Sequence, residues 1–447
     1  MLHGDLILLA QGDPSMGGRT GEKGSLRFKD DDHTYAGGNP HSEIVEGDPL
    51  AGLDHLARDV RAAGIRQVQG EVIIDDRYFE AAESTGSGPS RVSPIVINDN
   101  VIDILIDPSA SAGSGARVEF LPATQFLSMD AQVETVESTL SPSIEIRSLG
   151  PRQLAVRGKV PAGHRRLLRI QEVEEPSSFA RAVFIECLRR RGVAVSASPL
   201  AANSTASLPE PREVARLPRV GVYTSPPFRE FLKVILKVSH NLHASTLPLL
   251  IAARHGERTL EVGLRRQGEI LKGLGIDPAT VCFAGGAGGS RADFATPRAT
   301  VQLLRAMAAR PDAAAFSSAL PILGRDGTLV RAVDRDSPAR GHVHAKTGTY
   351  TVENELTGKA LLTSKALAGY METAGGKPLV FAFFVNNVGL DAPRPGRTVS
   401  EATTDAGRLL GKLAEVFYRG DGEPSPSPGA PDEERTLPDP EETSPPR

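Results

Sequence analysis

A lysine and a glycine lie close together in a segment whose composition predicts a β-strand. The segment reads Lys346-Thr347-Gly348-Thr349 and belongs to a predicted strand at 342–349. Side chains alternate between the faces of a strand, so Lys346 and Gly348 should point one way and the two threonines the other. A glycine weakens a strand interior unless another backbone or a ligand must come close. A cation beside it suits an extended peptide with a terminal carboxylate, added at the sheet edge. A solvent-exposed lysine in an ordinary turn is the alternative.

A second group of polar residues, Ser239-His240-Asn241, precedes a predicted helix at 244–253. Serine or asparagine in that position usually caps the helix, because the side chain accepts a hydrogen bond from a free backbone N–H group. The functional alternative is a hydroxyl that relays a proton and an amide that holds a substrate carbonyl or a catalytic lysine.

The order of the two groups favours the functional alternative. Ser-x-Asn and Lys-Thr-Gly follow one another 107 residues apart. The same order, with a Ser-x-x-Lys segment upstream, is typical of penicillin-binding proteins and serine β-lactamases. Their serine attacks a D-Ala-D-Ala carbonyl, which requires a base, an oxyanion hole and a cation for the substrate carboxylate.

Further segments make the resemblance specific. From about residue 4 to 418 the chain resembles the S13 D-alanyl-D-alanine carboxypeptidase/endopeptidases, the class C low-molecular-mass penicillin-binding proteins. The matching segments, in chain order, are Gly4–Leu8 with Gly12–Pro14, Gly64–Ile65 with Gly70–Asp76, Lys237–Asn241, Leu320–Pro321 with Gly324, Asp326–Leu329 and Arg331, Lys346–Thr349, and Ala368–Tyr370.

The resemblance implies a mixed α/β (α+β) fold: a DD-peptidase domain of the penicillin-binding-protein and serine β-lactamase type, with helices on both sides of an antiparallel sheet and a large strand-rich insertion. We expect a strand remnant of the N-terminal part at 1–14 and an inserted accessory region at 15–215, with a nested subdomain at about 115–170. The DD-peptidase domain is expected at 216–420, followed by a disordered, acidic, proline-rich tail at 421–447.

The resemblance also implies residue roles. Ser239 would relay a proton, Asn241 would hold the substrate amide, and Lys346 would set the electrostatics. Thr347 would contact the terminal carboxylate at the Gly348 strand, and the Thr349 backbone N–H would form half of the oxyanion hole. The implied partners are peptidoglycan stem peptides and β-lactams, in a periplasmic or extracellular location, without a cofactor or metal.

The chain departs from the family pattern at three points. His240 replaces an aspartate, and the usual Asp-Gly-Ser-Gly-Leu-Ser-Arg segment is a glycine-rich run at 284–291. No Ser-x-x-Lys occurs in the 447 residues, and the N-terminus has neither the basic start nor the long apolar core of a signal peptide. We therefore expect an N-terminally truncated chain that is inactive alone and binds β-lactams only non-covalently.

Two interpretations of the N-terminus stay open. Either the start codon was placed too late in the gene and the full protein is an active peptidase, which we favour, or the chain is a non-catalytic peptidoglycan-binding or scaffolding homologue. An in-frame signal peptide and Ser-x-x-Lys segment upstream of Met1 would favour the enzyme, whereas a stop codon would favour the binder.

Charge excludes other classes of protein. The net charge is −4, and the eight acids and two bases of the tail contribute −6, which leaves +2 on residues 1–420. A strongly basic nucleic-acid binder is therefore unsupported, and no run approaches the roughly 18 apolar residues of a transmembrane helix. The chain is long enough for about two to three domains.

Several local signals remain ambiguous. The run Asn98-Asp99-Asn100 between two β-rich segments predicts a hairpin turn. The glycine-rich run at 285–289 fits no nucleotide-binding motif, and the His240/His243 and His342/His344 pairs lack the companions of a metal site. Cys187 and Cys282 are expected as free thiols, with one disulfide as the alternative.

Overall fold

The computed structural model describes residues 1–150, 152–389 and 399–420, so the predicted tail at 421–447 lies outside the described residues. The helices are α1 (Ala51–Ala62), α2 (Pro176–Arg190), α3 (Pro211–Val214), α4 (Phe228–Val234), α5 (Asn241–Arg254), α6 (Leu260–Gly273), α7 (Pro297–Ala308), α8 (Ala313–Ala319) and α9 (Val399–Arg419).

The strands fall into two groups along the chain. Those of the first half are β1 (Leu6–Leu9), β2 (Gln67–Val68), β3 (Val72–Asp75), β4 (Ala82–Glu83), β5 (Arg91–Val92), β6 (Val101–Asp107), β7 (Arg117–Leu121), β8 (Ser128–Val136), β9 (Ser143–Gly150), β10 (Gln153–Pro161), β11 (Leu167–Glu172) and β12 (Ala194–Val195). Those of the second half are β13 (Val281–Cys282), β14 (Phe294–Ala295), β15 (Val343–Asn354), β16 (Lys359–Glu372) and β17 (Pro378–Gly389).

The first half is built from small sheets around one hydrophobic core. Strand β1 pairs in parallel with β3, while β8–β10–β9 and β11–β6–β7 form two three-stranded sheets. Helices α1 and α2 pack against each other, and their apolar side chains share one core with Leu6, Ile74 and Ile104. Residues 6–9 thus share a sheet with residues 72–75, while the predicted domain bounds stay a prediction.

The second half contains an antiparallel sheet with helices on both faces, as the resemblance implied. The strand order is β15–β16–β17. Leu410 and Ala414 of α9 share a core with Leu367 on one face. The hydroxyl of Tyr370, on the other face, donates to the Leu304 carbonyl of α7 at 2.7 Å. The predicted mixed α/β fold is confirmed.

The hairpin predicted around residues 98–100 is wrong. Asn98, Asp99 and Asn100 have φ values of 51°, 52° and 55° and form a buried turn, after which β6 pairs with β7 and β11 and not with the segment before the turn. Asparagine and aspartate tolerate this left-handed conformation better than most residues. The Asn98 side chain supports it by donating to the Val101 carbonyl at 2.9 Å.

Ser239 lies at a break between two helices. Helix α4 runs into a π-helical turn at Ile235–Ser239, and α5 starts directly after it. Phe231, Val234 and Val238 pack with Leu26 from the first half, which fixes this break against the loop at 15–48. A π turn inside a helical run is often found at a functional site.

Two further expectations concern cysteines and membranes. Cys187 and Cys282 are both free thiols, and burial raises the pKa of Cys187 to about 12. Among the described helices, none combines the length and apolarity needed to cross a bilayer.

Helix α6 supports α5 through a glycine contact that can be tested. A Cβ atom on Gly263 would lie 2.0 Å from the Pro248 carbonyl oxygen, whereas one on Gly268, in the same helix, would meet nothing within 4 Å. Gly263→Ala should lower the free energy of unfolding by about 1–3 kcal/mol through overpacking. Gly268→Ala, the matched control, should raise it by about 0.5–1 kcal/mol. Denaturant unfolding measures both, and shifts of the same sign would contradict this packing.

Candidate functional site

The predicted site residues come together in one cleft between the two halves of the chain. The cleft has a volume of about 980 Å³. Its lining includes all six residues predicted from the sequence, namely Ser239, Asn241, Lys346, Thr347, Gly348 and Thr349. Strand β15, at one edge of the sheet, forms one wall, and the start of α5 forms the opposite wall.

Ser239 and Lys346 are in direct contact across the cleft. The Lys346 Nζ atom lies 2.7 Å from Ser239 Oγ and 2.6 Å from the Thr347 carbonyl oxygen. Ser239 has a φ of 64°, an unusual value for a residue other than glycine. The Tyr35 hydroxyl donates to the Ser239 carbonyl, so the loop at 15–48 supports this conformation.

Lys346 lies in an environment that disfavours its charge. Burial, together with repulsion from Lys365, lowers the pKa of Lys346 to about 8. An amine with a pKa near neutrality exchanges protons more readily than an ordinary lysine, which suits general acid–base work through a neighbouring hydroxyl.

The turn at residues 326–328 is attached to the same wall. Lys237 forms an ion pair with Asp326, with Nζ–O distances of 2.7 and 2.8 Å. The backbone N–H of Gly327 donates to Asp30 at 2.6 Å. The Thr347 hydroxyl in turn donates to Thr328 Oγ1 at 2.8 Å, which couples the turn to strand β15.

Asn241 is the first residue of α5. Its Nδ2 atom donates to the Ser87 carbonyl at 2.8 Å, and its side-chain oxygen accepts no hydrogen bond from the described residues. The glycine-rich run packs beside it, because a Cβ on Gly286 would lie 2.1 Å from the Ala244 carbonyl and one on Gly289 1.7 Å from the Thr85 carbonyl. These glycines therefore serve close packing in this structure.

Gly348 differs from those glycines. A Cβ atom placed on it would meet only Ala366 Cβ, at an ordinary contact distance of 3.6 Å. Packing within the described chain therefore does not require a glycine there. The close approach of a ligand backbone is the remaining physical reason for one.

A buried ion cluster lies beneath Ser239, and its centre is Asp99. Asp99 Oδ2 accepts hydrogen bonds from Arg19 Nε at 2.9 Å and His33 Nε2 at 3.0 Å, while Oδ1 lies 2.6 Å from His243 Nε2 and 3.3 Å from His240 Nε2. Arg19 also pairs with both oxygens of Asp32, at 2.8 Å each. His33 Nδ1 lies 2.7 Å from Asp103. All these side chains are at most 3% exposed.

Charge pairing sets the protonation of this ion cluster. Burial alone would raise the pKa of Asp99, but Arg19 and the two imidazoles hold it well below its usual range. Burial alone would lower the pKa of His33, but the carboxylates of Asp103 and Asp32 raise it to about 10. For His243, burial and repulsion from His240 prevail and lower the pKa to about 4.

Asp99, His240 and His243 are the described residues whose spacing could suit a metal ion. Their ligand atoms all lie within 4.8 Å of one another. The two rings are stacked 3.6 Å apart with an interplanar angle of 16°, so their lone pairs lie in two nearly parallel planes, and both Nε2 atoms approach the same Asp99 oxygen. Since Arg19 also pairs with the same carboxylate, the geometry fits a hydrogen-bonded ion cluster better than a chelate.

Sequence reasoning missed several residues of this site. Tyr35 contacts Ser239 across 204 residues of chain, Asp99 holds His243 of α5 across 144 residues, and Lys365 contacts Thr349 on the adjacent strand. The one available signal was the asparagine–aspartate–asparagine run, which was interpreted as a hairpin turn.

The ion cluster should make stability depend on pH. Between pH 6.5 and 4 the unfolded chain protonates His243 but the folded protein does not, so the free energy of unfolding should fall on acidification. His243→Phe loses the bond to Asp99 and should cost about 1.5–3 kcal/mol at pH 7. The difference in free energy of unfolding between wild type and His243→Phe should become smaller toward pH 4. Denaturant unfolding at several pH values measures it. If the free energies of unfolding of the two proteins changed in parallel with pH, this account would be contradicted. His255→Phe, at the exposed end of α5, is the control.

Comparisons with known proteins identify a family and several relatives. A model of the "D-Ala-D-Ala carboxypeptidase 3 (S13) family" matches residues 1–405. A D-alanyl-D-alanine carboxypeptidase from Actinomadura sp. (strain R39) is 28% identical over 377 residues, which cover 79% of this chain and 66% of that protein. The D-alanyl-D-alanine carboxypeptidase DacB of Haemophilus influenzae is 23% identical over 349 residues, 75% of this chain and 68% of that protein. The chain thus spans about two thirds of the length of these curated relatives.

A solved structure resembles the fold. Penicillin binding protein 4 (dacB) from Haemophilus influenzae superposes with a TM-score of 0.64 at 18% identity, covering 93% of this chain and 82% of that one. A second structure of that protein, in complex with a novel β-lactam, has a TM-score of 0.61 at 18% identity and covers 94% and 83% of the two chains. With the family model matching most of the residues, the chain belongs to the D-Ala-D-Ala carboxypeptidase 3 (S13) family.

Proposed function

We propose that the cleft binds the acyl-D-Ala-D-Ala end of peptidoglycan stem peptides, as the substrate-binding part of a serine-type D-Ala-D-Ala carboxypeptidase/endopeptidase. The observation that carries this proposal is the 2.7 Å contact between Lys346 Nζ and Ser239 Oγ, which joins the two sequence motifs inside one cleft. β-Lactams, which the solved relative binds, are the expected inhibitors. Because the substrate is a cell-wall polymer, the protein would act in the periplasm or outside the cell.

In this proposal the ligand lies extended along β15. Gly348 leaves room for its backbone, and the Thr347 hydroxyl turns away from Thr328 Oγ1 to donate to its terminal carboxylate. The free side-chain oxygen of Asn241 accepts from the penultimate amide, and the Thr349 backbone N–H points at the carbonyl that is attacked. A donor placed at that oxygen stabilises the charge that develops during acyl transfer.

Proton movement would pass through Ser239. With a pKa of about 8, Lys346 is mostly protonated at neutral pH and donates to the Ser239 hydroxyl, and only its deprotonated fraction accepts a proton from that hydroxyl. The hydroxyl then relays the proton toward the leaving amine. The nucleophile and its base belong to a Ser-x-x-Lys segment, which does not occur in these 447 residues.

The reactivity expected of the 447-residue chain follows from its lack of a Ser-x-x-Lys segment. Loss of a nucleophile costs about 10⁶-fold in rate in comparable hydrolytic sites and leaves binding and charge stabilisation. The 447-residue chain should therefore give no covalent band with a fluorescent penicillin on a denaturing gel. A competent penicillin-binding protein in the next lane is the positive control. A band that unlabelled penicillin abolishes would contradict the proposed inactivity.

Substrate recognition can be tested without catalysis. We expect the chain to bind an acyl-D-Ala-D-Ala peptide more tightly than its L-Ala-L-Ala isomer, as measured by calorimetry or NMR titration. Thr347→Val should weaken binding about tenfold or more, because a hydrogen bond to a carboxylate is lost. Thr363→Val, on β16 outside the cleft, is the matched control. Equal affinity for both isomers would count against the proposed function.

A further inference from the structure

A second lysine, unused by the proposed chemistry, lies beside strand β15. Lys365 is in the middle of β16, directly opposite Thr349 in the strand register, and is 9% exposed. Its Nζ atom lies 2.6 Å from Thr349 Oγ1, and it lines the same cleft as Lys346. Along β16, position 365 faces the same way as Leu367 and Met371, which are core residues.

The charge of Lys365 is buried, and the part of the chain that the structure describes supplies no partner of opposite sign. Among the described residues no carboxylate oxygen lies within 4 Å of Lys365 or Lys346, whereas the nearby Lys237 pairs with Asp326. Burial lowers the pKa of Lys365 to about 8, which still leaves it protonated at pH 7. A buried ammonium without a counter-ion destabilises a fold, so its presence indicates that the cation serves a ligand.

Packing does not explain this lysine either. Gly407 of α9 lies over its stem, where a Cβ would come within 3.3 Å of Lys365 Cε and 3.5 Å of Nζ. An unbranched apolar side chain such as methionine would fill the same space without burying a charge.

The hydrogen bond to Thr349 has a definite direction. An ammonium group only donates, so Thr349 Oγ1 must accept from Lys365. The hydroxyl proton of Thr349 then has to point elsewhere, and no other described residue accepts it. Because Thr349 is exposed to the cleft, that proton is available to a ligand.

We propose that Lys365 is a positioning and specificity-determining residue that fixes Thr349 as a hydrogen-bond donor and adds a second positive charge for a ligand carboxylate on β15. The proposal rests on the proposed function, which supplies a peptide with a free terminal carboxylate. It adds a preference for the carboxylate over an amide at that end of the ligand.

The charged groups around Lys365 bear on any test by pH. The charged residues that line the same cleft are Lys346 on β15, Arg408 on α9, which pairs with Asp405 at 3.6 Å, Arg331, which is bonded to Asp31, and Asp30 and Asp32. Burial is the main cause of the low pKa of Lys346, and loss of Lys365 would remove the repulsion that lowers it further.

The central experiment compares wild type with Lys365→Met and with Lys359→Met, an exposed lysine of the same strand. Affinities for acyl-D-Ala-D-Ala and its C-terminal amide are measured at pH 7, together with thermal unfolding. Lys365→Met should lower carboxylate affinity at least tenfold, change amide affinity less than twofold, and raise the unfolding midpoint. Lys359→Met should change none of these. Equal losses for both ligands, or a lower midpoint, would overturn the proposal.

Two further experiments separate failure of this role for Lys365 from misfolding and from failure of the proposed function. Thr349→Val should reproduce the selective carboxylate loss, which covers a failure of Lys365→Met to fold. Acetate, followed by NMR at Lys365 and Thr349, probes the anion site without a peptide. Acetate binding that depends on Lys365, without peptide binding, would reject the proposed function but support this role. Acetate and peptide affinities that are the same with and without Lys365 would overturn the role itself.

Discussion

The site depends on one buried carboxylate, that of Asp99. It receives Arg19 and His33 from the loop at 15–48 and His243 from the first turn of α5, so segments more than 200 residues apart meet at two oxygen atoms. Breaking such a network by removing one member leaves an uncompensated buried charge, which is far costlier than the net gain of forming it. The conformation of Ser239 therefore depends on the first half of the chain as much as on its own helix.

The cleft combines this rigid support with two lysines that have no carboxylate counter-ion among the described residues. The Lys237–Asp326 pair is structural, because each charge satisfies the other. Lys346 and Lys365 face Ser239 and Thr349 instead, and both have pKa values near 8 because they are buried. Burying these two charges lowers the stability of the fold at the place where we expect an anion to bind. Such a cost in stability is common at binding sites.

The sequence predicted the elements that depend on local pattern. Helix α5 and strand β15 followed from local sequence pattern, and the pairing of the Ser239 and Lys346 motifs in one site followed from motif order and from the family resemblance. The buried turn at Asp99 was misinterpreted, because asparagine and aspartate favour exposed turns as well and only distant partners decide between the two. Lys365 was overlooked for the same reason, since its meaning comes from its register opposite Thr349 and from the α9 glycine above it.

Amide hydrogen exchange of Asp99→Asn tests most directly whether Asp99 joins the two halves of the site. Hydrogen exchange measures local opening separately for each segment, so it shows whether two distant segments open together. The account predicts that exchange accelerates together in peptides covering residues 19–33 and 235–243, relative to wild type, while residues 359–372 of the sheet stay protected. Acceleration confined to residues 95–103 would contradict the claim that this carboxylate positions Ser239.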